Sequence, residues 1–382
     1  MNKKRSTMFS IAKGALAIFV SLLVAAILVF VSAAGDTVAD KFAETGTALK
    51  SMLISPLFKA DGSFNFKGLC DVLALMIPIM FTGVGTCIMF SANQFNLGSE
   101  GGIMLGAFVT ACVAVYAPIP GALLPIVAIL AGGVATAIVL YIPATLKAHF
   151  GVSEMVNSLM LNSIIQYTIM FLLNMYLADT TKGQVQMLPI RENAALPQII
   201  NNGSKLHIGF IIAIIIVILA WLFMYRTKWG YSIRMIGINQ DFSKYSGLNV
   251  IKIIIIAQVL GGFIAGIGGG AEMLGRYTAY NWKTLPGYGW TGVTVAILAG
   301  NNPAFVPFAA FFISYLNKGC TLMATYTSIP SQLIDIIQAV LFLLFAADQF
   351  LSRYKQKLVV KSAEEEAAIK RQTELEFRGG EK

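Results

Sequence analysis

Long apolar runs separated by short polar stretches recur along most of the chain. They lie at about residues 11–34, 69–90, 101–117, 121–146, 155–177, 208–225, 250–274, 288–300, 303–319 and 332–351. Most are long enough, at ~1.5 Å rise per residue, to cross or nearly cross a hydrocarbon core ~30 Å thick. In lipid, backbone N–H and C=O groups must be paired within the segment, so a spanning run of this kind is a helix. The pattern predicts an all-α, polytopic membrane protein with about ten transmembrane helices.

Two places bend this simple reading. Lys3-Lys4-Arg5 ahead of a run ending Val31-Ser32-Ala33-Ala34 has the outline of a secretory signal. The run from about Ile11 to Ala34 is longer than the ~7–15 residues of a signal core, so it is read as an uncleaved first helix. The runs 288–300 and 303–319 are short and share the turn Gly300-Asn301-Asn302-Pro303. Full spans bent at a turn and half-helices meeting inside the membrane both fit that spacing.

Composition agrees with a lipid environment: 57% of the 382 residues are hydrophobic and 12% are charged, where soluble chains carry ~25% charge. The formal net charge of +9 forms no nucleic-acid patch. The basic residues cluster at Lys3 to Arg5, between Arg226 and Lys252, and after Arg353, and the aromatics sit in apolar runs and not among them. With both termini placed in the cytoplasm, 18 of the 28 Lys and Arg residues fall on the cytoplasmic side, in accord with the positive-inside rule. The outer stretches 35–68 and 178–207 read as polar loops. Residues 1–351 form one transmembrane domain, and 352–382 a charged cytoplasmic tail, solvated as a helix or an extension.

Catalytic and metal chemistry find little support. Cys70, Cys87, Cys112 and Cys320 are scattered, and His149 and His207 stand far from one another. No zinc spacing and no nucleophile–base pair can be drawn from them. The stretch Gly270 to Arg276 imitates a phosphate loop, but Arg276 and Tyr277 stand where Lys and Ser or Thr are needed, and no strand precedes it. Gly261, Gly262, Gly266, Gly268, Gly269 and Gly270 instead fit close packing of helices. The chain therefore carries no nucleotide-binding domain.

Polar residues inside the spans carry the remaining information: Asn93, Asn96, Glu100, Glu154, Asn157, Asn162, Gln166, Glu272 and Asp335. A charge at the bilayer centre costs at least ~2.5 kcal/mol, so such a residue lines a pathway, joins two helices or lies near an interface. Phe95-Asn96-Leu97-Gly98-Ser99-Glu100-Gly101-Gly102 interrupts two apolar runs, as a loop at the membrane midplane or a tight cytoplasmic turn. Glu100 falls in the first helical turn, where the helix dipole favours an anion. The connector Arg226 to Asn249 has the makings of a short capped helix: Asn239 as N-cap, Asp241 in the first turn, Gly247 at the left-handed end. A plain amphipathic connector would read the same way.

On these residues the sequence resembles permease subunits of ATP-binding-cassette importers, in the branch that takes simple sugars and nucleosides. The resemblance rests on FNLGSEGGIMLGA (95–107), HFGVSEMVNSLMLN (149–162), GINQDFSKYSGLN (237–249) and LPGYGWTGVTVAILAGNNP (285–303). The FNLGSEG form is similar to nucleoside permeases, whereas sugar permeases of the branch look more like GGIDLSVG there. The resemblance implies the importer permease fold of ten helices, with the second to fifth and seventh to tenth related as an inverted repeat. It implies a bacterial cell membrane location and alternating access, with no cofactor on this chain and with ATP and Mg on a partner ATPase. The implied partners are that ATPase, a second permease subunit (identical or related), a substrate-binding lipoprotein outside, and membrane lipid. Asn96, Glu100, Glu154, Asn157, Asn162 and Trp290 are the expected pathway residues, Trp290 as a ring that can stack on a base. Asn239, Asp241, Phe242, Ser243, Tyr245 and Gly247 are the expected coupling residues, although Phe242-Ser243 stands where the family usually has two alanines. The alternatives are a ribose-like sugar permease and, less in keeping with the connector, a secondary transporter without an ATPase.

Overall fold

The structure is a computed structural model that describes residues 23–31 except 25, 37–327 except 60, 122, 180–182, 184 and 201–202, and scattered positions between 329 and 340. Most of the first and last apolar runs and the charged tail lie outside the described residues. What is described is helical, with isolated two-residue bridges in place of sheet. The helices are α1 (Val38–Leu53), α2 (Phe66–Ser91), α3 (Ser99–Tyr116), α4 (Leu124–Phe150), α5 (Glu154–Leu172, prolonged by a π turn Leu173–Leu177) and α6 (Gly209–Arg226). They continue with α7 (Lys228–Ile238), α8 (Gln240–Tyr245), α9 (Val250–Arg276), α10 (Tyr288–Leu298) and α11 (Val306–Tyr326).

Helices α2 to α6 and α9 are each long and apolar enough to cross a membrane, six in all among the described residues. The expected eighth and ninth spans form a pair bent by 110°. At 11 residues, α10 reaches only ~16 Å, half a bilayer core, whereas the 21 residues of α11 reach ~31 Å. Half-helix is therefore the right description of the first member.

Helix α9 is the axis of the bundle, and its glycines explain how. A Cβ at Gly269 would fall 2.1 Å from the Ile103 carbonyl oxygen, so α3 and α9 touch backbone to backbone. Small residues give such helices van der Waals contact in a solvent that supplies no hydrophobic drive between them. Burial separates inner from outer helices. In its most apolar window α2 is 89% buried, against 28% for α5 and for α6. Exposed Ile211, Ile215, Ile218 and Leu222 on α6 and Met160, Ile164, Tyr167 and Phe171 on α5 are the side chains lipid would cover.

Two elements depart from the sequence reading. The stretch 35–68 contains α1, capped by Thr37. Ala48 and Met52 are fully buried, and the Tyr315 hydroxyl of α11 donates to the Leu53 carbonyl oxygen. Its apolar residues recur at helical spacing among polar and charged ones, so it forms no continuous apolar run. The connector after Arg226 holds two helices where one was expected. Thr227 accepts the Gly230 N–H at 3.1 Å to start α7, which buries Ile233 and Ile236. The expected capped helix follows as α8.

Candidate functional site

The interruption at 92–98 is an extended strap that climbs into the bundle. Near one face, the Phe95 N–H donates to Glu154 Oε1 at 3.1 Å, and Lys147 pairs with Glu154 Oε2 at 2.9 Å. Two helical turns further along α5, Asn162 accepts the Gly101 N–H at 2.9 Å and donates to the Leu97 carbonyl oxygen at 3.0 Å. Eight residues of helix rise ~12 Å, so α3 begins about that far inside the protein. Helix α9 gives the same depth: Asn96 Nδ2 donates to Gln258 Oε1 at 2.7 Å, and Gln258 is eight residues from the start of α9. The segment therefore lies inside the bundle, about a third of the way along α9.

At that depth a second helix begins. Gly287 takes φ +83°, a left-handed turn that suits glycine, and the chain enters α10. The Glu100 carboxylate is fully buried. It accepts the N–H groups of Gly287 (2.5 Å), Gly289 (2.6 Å) and Trp290 (3.2 Å). It is thus a cap, as its position allowed, but chiefly for a helix 187 residues away. The positive ends of the α3 and α10 dipoles meet on one carboxylate. The approach is close: a Cβ at Gly289 would lie 2.4 Å from Glu100 Cα. Helix α10 is also held to α2 by Thr82 Oγ1, which donates to the Tyr288 carbonyl oxygen at 2.9 Å.

Most of the expected pathway residues are brought together here, with their polar atoms in use. Asn96 also accepts the Gly98 N–H at 2.7 Å, Ser158 accepts that of Leu97 at 2.9 Å, and Asn96, Glu100, Glu154 and Asn162 are all buried. Asn157 lies one helical turn from Glu154 with a buried Nδ2 that has no partner among the described residues. Glu272 lies elsewhere, at the far end of α9, 3.8 Å from His207 and 3.3 Å from Arg276.

Trp290 differs from these. Its backbone N–H serves the cap, while the residue is 41% exposed and lines an open groove of about 500 Å³ with Phe95, Leu97, Thr291, Thr294 and Asp335. Two aromatic rings, two hydroxyls and a carboxylate surround a space in the range of small-molecule sites. Phe95, Thr291 and Thr294 were not singled out from the sequence. The available signal was position, since all three sit inside or beside the motifs that carried Asn96 and Trp290.

On the face where α7 and α8 lie, the connector helix is capped as read: Asn239 Oδ1 accepts the Phe242 N–H at 2.9 Å, and Gly247 takes φ +82°. Ser243 is fully buried and donates to the Asn239 carbonyl oxygen at 2.8 Å. Phe242 and Tyr245 project outward, 55% and 92% exposed, with Asp241 exposed beside them. The departure at Phe242-Ser243 is thus divided, serine inward and phenylalanine outward.

Comparison with known proteins bears on this arrangement. The glucose ABC transporter permease protein of Haloferax volcanii is 29% identical, covering 84% of this chain and 88% of that protein. The guanosine ABC transporter permease protein of Bacillus subtilis is also 29% identical, covering 77% and 85%. The nucleoside ABC transporter permease protein of Lactococcus lactis is 28% identical, covering 75% and 80%. No solved structure matches the chain. Residues 68–346, α2 through α11 and beyond, match the family described as the branched-chain amino acid transport system / permease component. A glycine-packed bundle with a buried strap and a half-helix capped by Glu100 is the form this sequence gives to that match, and the chain belongs to that family of membrane permeases.

Proposed function

We propose that this chain is the translocating subunit of an ATP-driven importer for a nucleoside. The observation that carries the substrate class is the groove beside α10. Phe95 and Trp290 offer rings against which a base can stack, and Thr291, Thr294 and Asp335 offer acceptors for ribose hydroxyls and ring N–H groups. Two relatives named for guanosine or nucleosides agree with it.

In this reading the solute arrives from a binding lipoprotein outside, and this subunit, paired with a second permease subunit of the same or a related kind, encloses the route. ATP and Mg are bound and turned over on separate ATPase subunits in the cytoplasm of a bacterial cell. Helix α8 presents Phe242, Tyr245 and Asp241 to that ATPase, while Asn239, Ser243 and Gly247 hold the helix in shape. Both chain termini lie on the same, cytoplasmic side. A transporter with no ATPase has no need of an exposed aromatic pair on a capped two-turn helix, which weighs against that alternative. Within the pathway, Asn96, Glu100, Glu154 and Asn162 act through the backbone they hold, and Asn157 and Trp290 have groups left over for a solute.

A sugar permease is the second reading, favoured by the Haloferax relative of equal identity. Uptake of labelled guanosine and of labelled glucose and ribose by cells with and without the gene decides between them. Loss of guanosine uptake alone supports the nucleoside reading. Unchanged guanosine uptake with loss of a sugar overturns it.

A further inference from the structure

A second groove, unlike the first, opens on the outer wall of the bundle. It holds about 540 Å³ and is lined by Tyr141 of α4, Phe223 of α6, Trp229 of α7 and Ile256, Val259 and Phe263 of α9. Apart from a phenol and an indole, these side chains have no polar atoms, so the groove gives a polar solute nothing to bind. A dry apolar slot of this kind takes hydrocarbon.

Its end toward α7 is different. Trp229 is 42% exposed, and Lys252 Nζ lies 5.3 Å from its ring centroid, a cation–π contact. Lys228 adjoins Trp229 and Arg226 precedes it by three residues, and both are exposed. No carboxylate lies within ion-pair distance of Arg226, Lys228 or Lys252 among the described residues. A tryptophan with unpaired cations at the end of an apolar slot has the make-up of a membrane interface, ring at headgroup level and cations reaching for phosphate.

We infer that this groove binds one anionic phospholipid, its acyl chain lying along α9 between Ile256 and Phe263 and its phosphate held by Lys252 and Lys228. Charge complementarity selects this occupant. A second copy of the chain placed on the groove by a two-fold axis would gather the Lys228 and Lys252 of both copies in one interface, whereas an anionic headgroup neutralises them. The site joins α4, α6 and α9 just where the chain turns into α7 and α8, so an occupied groove ties the exposed connector to the axis of the bundle.

The test is native mass spectrometry of the full-length permease released from detergent, titrated with phosphatidylglycerol and with phosphatidylcholine of the same acyl chains. Phosphatidylglycerol should be retained at least about five-fold better. The Lys228→Gln/Lys252→Gln variant, altered only at exposed positions, should lose that preference while keeping its elution volume and circular dichroism. Ile256→Trp, which fills the slot, should reduce retention of both lipids. Equal retention of the two lipids by the unaltered protein overturns the proposal, as does a preference that survives the double lysine change. Disulfide-linked dimers formed in membranes by Ile256→Cys would overturn it too, since a second copy would then cover the groove.

Discussion

The strap around Glu100 and the groove around Trp290 are neighbours that share a hydrogen bond, yet they use polarity in opposite ways. In the strap, Asn96, Glu100, Glu154, Ser158 and Asn162 are buried, and each accepts a backbone N–H of residues 95–101 or 287–290. In the groove, Phe95, Trp290 and Asp335 keep exposed faces. Irregular backbone is tolerated at membrane depth only where something pairs it. The strap supplies that pairing, and so allows α10 to start inside the bundle and hold Trp290 toward an open space. A polar residue within a span is thus a poor guide to the solute until its partners are known.

The largest effect that would separate the two regions comes from Glu100→Ala. It leaves three N–H groups of the α10 start without an acceptor, at ~1–3 kcal/mol each, so a loss of at least about 3 kcal/mol is expected. The measurement is the thermal unfolding midpoint of the purified permease together with its level in the membrane. Gly289→Ala should fail in the same way, because its methyl group meets the Glu100 backbone. A Glu100→Ala protein that keeps its midpoint and loses only transport would make Glu100 a solute contact and erase the distinction.

Asn162→Ala tests the strap from its other side. Two backbone groups, Leu97 C=O and Gly101 N–H, lose their partner, and a destabilisation of about 2 kcal/mol is expected. The loss should be shared by every solute the system carries. A selective loss for one nucleoside would move Asn162 into the groove's class.

Trp290→Ala belongs on the groove side. The backbone N–H that serves Glu100 is unchanged, so the unfolding midpoint should move little. The KM for guanosine uptake should rise about ten-fold, the equivalent of about 1.4 kcal/mol for a lost stacking face. Trp290→Phe should recover most of it. A midpoint that falls with Trp290→Ala as far as with Glu100→Ala would place the indole in the clasp.

The sequence reading went furthest where long apolar runs state the solvent, since α2 to α6 and α9 follow the runs within a few residues. It also placed the cap of α8, because Asn239 and Gly247 are local signals. It fell short where the meaning of a residue is set by a distant partner. Nothing near Glu100 says that its carboxylate ends on Gly287 and Gly289, and nothing near Ser243 says that it turns inward while Phe242 turns out. Helix α1 was missed for another reason: its apolar positions Val38, Phe42, Leu49 and Met52 recur at helical spacing, but they stand among polar and charged residues, so a reading by continuous apolar runs passes over it. The half-helix α10 was present in the sequence as a short run, but shortness alone is shared by a bent full span.

The smallest expected effect lies at the connector, where the same contrast returns on one short helix. Ser243 is buried and serves the helix, whereas Phe242 and Tyr245 face outward and are exposed. Tyr245→Ala should leave the unfolding midpoint unchanged and weaken co-purification of the ATPase several-fold, because a single aromatic at an interface is worth ~1–2 kcal/mol on truncation. Phe242→Ala should weaken it less or not at all, since Phe242 is the less exposed of the two. Ser243→Ala should do neither, since a small side chain facing inward is all that position requires. If Ser243→Ala, and not Tyr245→Ala, releases the ATPase, then the inner face of α8 transmits the stroke and the outward aromatics are only a surface.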